Sequence, residues 1–131
     1  MKEQLRSYLI ADPAIKGLVE QRVTWVTRPR GQVLPAIVLT HVSGARHYAM
    51  EAPSHLVTSR VQVDCWALNN KTATTMGRAV NAAMGGLRTM FDGVSIQAAF
   101  LESEQDLPDD ASPPDEQIHR VSMDWMIWHT E

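Results

Sequence analysis

From Arg60 to Ala67 the chain alternates: Val61, Val63, Cys65 and Ala67 are apolar, while Arg60, Gln62 and Asp64 are polar. A period of two residues is that of a β-strand with one face buried. After Leu68-Asn69-Asn70 the period changes, and Ala73, Met76, Gly77, Val80, Met84 and Leu87 recur at the spacing of three and four that gives a helix one apolar stripe. A sheet face and a helix stripe joined so closely must pack on each other. Asn70 is the expected N-cap, and Gly85-Gly86 the expected left-handed stop.

The same reading covers the rest of the chain. Lys2 to Ala11 carries Leu5, Tyr8 and Leu9 on one helical side, Asp12-Pro13 restarts the helix, and Ile15, Leu18 and Val19 continue the stripe. Val23 to Thr27 reads as a short strand, and Arg28-Pro29-Arg30-Gly31 as a turn or loop. Pro35, lacking an N–H, suits the start of a strand from Ala36 to Val42, whose run Ile37-Val38-Leu39 predicts cover on both faces. Ser43 to His55 reads as a polar excursion. Asp92-Gly93 reads as a turn before a strand from Ser95 to Glu104, with Ile96, Ala98, Phe100 and Glu102 expected on one face. Ile118 to His129 forms the last strand: Val121, Met123, Trp125 and Ile127 are its core face, and Met126 and Trp128 make an apolar patch at the far end of its other face.

Composition narrows the function. A chain of 131 residues has room for one core. Its net charge of −3 gives no global drive toward nucleic acid or anionic membrane, and no apolar run reaches the roughly 20 residues of a membrane span. Glu102, Glu104, Asp106, Asp109, Asp110, Asp115 and Glu116 fall in one stretch free of Lys and Arg; with its prolines, residues 103–117 read as a mobile acidic loop. The lone Cys65 excludes an internal disulfide and suits a reducing compartment.

No catalytic constellation stands out. His41, His47 and His55 match no zinc spacing, and Cys65 faces a core rather than the electropositive opening a nucleophilic thiol needs. Asp109, Asp110 and Asp115 lack the order of a calcium loop, and the glycines form no phosphate cradle. Arg22, Arg28, Arg30, Arg46 and Arg60 have no interleaved aromatics of the kind that mark nucleic-acid binding; pairing with carboxylates across a subunit contact explains them as well. The face opposite the core, with Arg60, Trp66, Met126 and Trp128, is the candidate for subunit packing. Arg28, Arg30, Arg46, Asp109 and Asp110 complete the candidate oligomer or partner interface. No cofactor, metal or catalytic residue is expected.

The ordered pattern resembles the tail completion (tail terminator) protein family of long-tailed phages and phage-derived gene transfer agents. The resemblance rests on Ala11-Asp12-Pro13 leading to Leu18-Val19 and Arg22-Val23, then Leu34-Pro35-Ala36-Ile37-Val38 with Ser43-Gly44. It continues through Arg60 to Ala67 and the helix after it, and closes with Phe100-Leu101-Glu102 and His119 to Trp125. It implies an α+β domain spanning residues 1–131, with two main helices packed on one face of a mostly antiparallel sheet of four to five strands. It further implies a non-catalytic virion protein forming a ring, usually a hexamer, at the head-proximal end of the tail tube. The implied partners are copies of itself, the tail tube protein and a head connector or head completion protein, with no membrane and with DNA only as cargo through the lumen. A soluble oligomeric adaptor unrelated to virions, or a small enzyme, is the alternative.

Overall fold

The computed structural model describes residues 2–26, 35–48, 53–85, 88–91, 94–108 and 119–130. The elements run α1 (Lys2–Ala11), α2 (Pro13–Val19), β1 (Val23–Trp25), β2 (Ala36–Tyr48), β3 (Pro53–Ala67), α3 (Asn70–Met84), β4 (Thr89–Phe91), β5 (Val94–Pro108) and β6 (His119–Thr130). The fold is α+β. Among the described residues it has three helices, where two main helices were expected, and a six-stranded sheet, where about four to five strands were expected, in the order β1-β2-β3-β6-β5-β4. β1 pairs parallel to β2; the other neighbours pair antiparallel. The short edge strand β4 is the one that the sequence reading did not anticipate.

The alternation in β3 and β6 sets the core. Val61, Val63, Cys65 and Ala67 of β3 and Val121, Met123, Trp125 and Ile127 of β6 share one buried cluster with Leu5 and Leu9 of α1, Ile15 and Val19 of α2, and Ala73, Met76, Val80 and Met84 of α3. Trp125 is fully buried at its centre, where truncation of such a ring costs about 3–5 kcal/mol. Asp12 caps α2 as expected, its carboxylate accepting from the N–H groups of Ala14 and Ile15 at 3.0 and 3.3 Å. On β2, Ile37, Val38 and Leu39 are all buried, so both faces of that strand are covered.

Several local expectations are corrected. The N-cap of α3 is Asn69, not Asn70: the Asn69 side chain accepts from the Thr72 N–H at 2.7 Å. Gly85 ends α3 with φ −60° and ψ 118°, an extended rather than left-handed cap, its N–H donating to the Asn81 carbonyl; Gly86 and Leu87 lie outside the described residues. Of the excursion expected from Ser43 to His55, the described residues are strand, and residues 49–52 lie outside the description. Ser43 to Tyr48 continues β2, and Pro53 begins β3, making one long hairpin in which a register shift between His41 and Ser43 absorbs an extra residue. The acidic stretch likewise begins as strand, since Ser103 to Pro108 belongs to β5.

Face assignments on β5 also change. Register shifts between Ile96 and Ala98 and between Leu101 and Ser103 break the simple alternation. Ile96 and Ala99 are buried and Leu101 packs against the core, whereas Phe100 is 55% exposed. A bulge flips every side chain beyond it to the other face.

Candidate interaction surface

The surface is built from the strand positions that do not enter the core. Register places them in rows across β2, β3, β6 and β5: Ala45, Thr58, Trp128 and Ala98; Ser43, Arg60, Met126 and Phe100; Thr40, Gln62, Asp124 and Ser103; Val38, Asp64, Ser122 and Gln105; Ala36, Trp66, Arg120 and Leu107. Arg60 and Met126, paired by the sequence reading, are direct cross-strand neighbours. Trp66 lies at the opposite end of the same face from Met126 and Trp128.

Polar side chains on this face pair with one another. The Arg60 guanidinium meets the Glu102 carboxylate at 2.8 Å, reaching across β6. Both groups are well over a third exposed, which limits this pair's contribution to roughly 1 kcal/mol or less. The Gln62 amide donates to Asp64 at 2.9 Å, and the Ser103 hydroxyl donates to Asp124 at 3.1 Å. The Arg120 guanidinium stacks 4.9 Å from the Trp66 ring centre, a cation–π arrangement. Asp64 is only 5% exposed, and its Oδ1 has no hydrogen-bond partner among the described residues; nor has the buried Nε of Arg120. Orphaned buried polar atoms of this kind cost on the order of 1–3 kcal/mol each.

The apolar part of the face differs from expectation in one member. Met126 and Trp128 are half-buried, and the exposed ring is Phe100, registered opposite Met126. Strict alternation placed Phe100 with Ile96; only the bulge before Ala98 separates them. Arg28, Arg30, Asp109 and Asp110 lie outside the described residues, and Arg46 is placed by its pairing with Val57 in the hairpin.

Two arrangements were not anticipated. On the core side, the Ser59 hydroxyl and His129 Nε2 lie 2.8 Å apart, and His129 Nδ1 lies 2.8 Å from the Thr130 carbonyl. A carbonyl only accepts, so in the neutral ring Nδ1 carries the proton and Nε2 accepts from Ser59. That is the hydrogen-bond order of an activated serine, yet Ser59 is 1% exposed and His129 5%, so no substrate reaches the hydroxyl. The two are far apart in sequence, and only the β3–β6 register joins them. An open groove of about 340 Å³ is lined by Thr74, Glu104, Gln105, Asp106 and Val121. The second bulge of β5 turns Glu104 toward α3, its Oε1 lying 3.4 Å from where a Cβ on Gly77 would sit.

Cys65 is buried, and burial, followed by the charges of Asp64 and Glu104, pushes its thiol pKa well up; a thiol held protonated is a poor nucleophile and ligand. Among the described residues no three His, Cys, Asp or Glu side chains converge as metal ligands, and no helix is long and apolar enough to cross a membrane.

Comparison with known proteins bears on the fold and the family. A chain of a structure described as the virion of a native gene transfer agent (GTA) particle shares the fold with TM-score 0.81 at 12% identity, covering 100% of this chain and 95% of that one. A second solved chain aligns with TM-score 0.57 at 11% identity, over 97% of this chain and 95% of its own length. No curated protein matches the sequence. The model of the family described as tail completion protein gp17 matches residues 3–130, and the chain therefore belongs to that family, whose place is the virion tail.

Proposed function

We propose that this protein is a ring-forming tail terminator that caps the head-proximal end of the tail tube and joins it to the head connector. The observation that carries the reading is the match of the tail completion family along residues 3–130. Residues 1–131 act as one domain. Copies of the chain form a ring, the hexamer usual in this family, through which DNA passes as cargo.

The exposed Phe100, flanked by Met126 and Trp128 and bordered by the Arg60–Glu102 pair, supplies an apolar centre with a charged rim, the composition of a protein contact. Docking of a tube or connector protein there covers Phe100. Trp66, Arg28, Arg30, Arg46, Asp109 and Asp110 remain candidates for the margins of the assembly.

Polymerising purified tail tube protein with and without this chain tests the reading. Tubes should stop growing and carry extra density at one end when the chain is present. Phe100→Ser, which removes an exposed side chain, should keep the melting temperature and weaken capping. Unrestricted tube growth in the presence of folded wild-type chain contradicts the proposal.

A further inference from the structure

The sheet has two long stretches of edge that nothing among the described residues covers. β1 pairs only with Ile37 to Leu39, leaving the outer side of His41 to Tyr48 in β2 without a neighbouring strand. β4 pairs only with Val94 to Ile96, leaving the outer side of Ala98 to Pro108 in β5 in the same condition. His41 to Ala45 and Glu102 to Asp106 are exposed throughout. Open edges present free N–H and C=O groups and are templates for another strand.

Hydrogen-bond parity identifies the outward groups. The Leu39 carbonyl accepts from Val26 and the Ile37 N–H donates to the Arg22 carbonyl, so odd residues of β2 turn their peptide groups away from β3. His41 follows that rule. The register shift at 41–43 reverses it, and Gly44 and Arg46 become the outward residues. Carried across β3 and β6, whose register is unbroken, the same parity turns Ala99, Leu101, Glu104 and Asp106 of β5 outward, with Pro108 at the next such position. A proline there sacrifices no bond of the protein's own ladder.

We infer that the ring closes by strand addition, the β2 edge of one copy pairing with the β5 edge of the next to make a sheet continuous between copies. This inference rests on the ring reading above. Three observations select a second copy as the occupant. β2 runs antiparallel to β3, β3 to β6 and β6 to β5, so β2 and β5 of two copies held in the same orientation meet antiparallel. The 41–48 edge carries His41, Arg46 and His47 and no acid, whereas the 98–108 edge carries Glu104 and Asp106, besides the Glu102 paired with Arg60, and no base. Unlike edges therefore attract, and two β5 edges repel. The two edges differ, so the contact is heterologous, the kind that generates a ring when its rotation closes. The face bearing Phe100 stays available to the tube or connector.

Hydrogen exchange of the full chain, as monomer and as assembled on isolated tails, tests this directly. The outward amides of the 41–48 and 98–106 segments should exchange rapidly in the monomer and become protected on assembly. Asp106→Pro, which deletes one outward N–H, should melt with the wild type and fail to assemble. Assembly of several copies with both edges still unprotected, or normal assembly of Asp106→Pro, overturns edge pairing and leaves the ring reading standing. A single copy per tail overturns both.

Discussion

At the scale of single residues, Cys65 shows how position decides chemistry. The same thiol on an exposed helix start is a nucleophile; here it stands in the core strand between Asp64 and Trp66, fully buried and held protonated. Its folded pKa is raised, so the stabilisation linked to it is fully present below the unfolded thiol pKa of about 8.5 and is lost as pH rises above that value, by at most about 1.4 kcal/mol per pH unit. Urea unfolding from pH 7.5 to 10 should therefore show a steeper alkaline loss in the wild type than in Cys65→Ala. Equal slopes contradict this, as does rapid alkylation of Cys65 in the folded chain. These positions were only partly legible in the sequence: Met126 and Arg60 fall together because β3 and β6 are regular, whereas the exposed Phe100 and the buried Ser59–His129 pair depend on bulges and long-range register that no local pattern encodes.

At the scale of elements, β3, α3 and β6 could be read almost directly, because each buries one face and so carries a clean period of two or of three to four. Elements with little to bury carry no such signal. The outer half of β2 and the acidic half of β5 lie at open edges, exposed and polar, and therefore resemble loops in sequence while being held as strands by one neighbour. The N-cap of α3 falls one residue before the expected one because Asn69 and Asn70 offer the same chemistry. α3 also carries a glycine in its interior, Gly77, against Glu104 Oε1 and Val121 Cγ1, each 3.4 Å from an added Cβ. That is ordinary van der Waals contact, and Ala exceeds Gly in helix propensity by about 1 kcal/mol. Gly77→Ala should stabilise the chain by about that amount in chemical denaturation; a loss of stability shows that α3 approaches the sheet too closely for a methyl group.

At the scale of the whole molecule, three helices cover one core, and the remaining surface of the sheet is divided between an apolar-centred face and two edges of opposite charge. The described residues thus set these surfaces around one six-stranded sheet. In the function proposed above, those surfaces end a growing tail and join it to a head. Electron microscopy of particles made without this protein tests that role. Overlong tails, or tails without heads, are expected, restored to normal by supplying the wild-type chain. Tails of normal length firmly attached to heads in its absence contradict it.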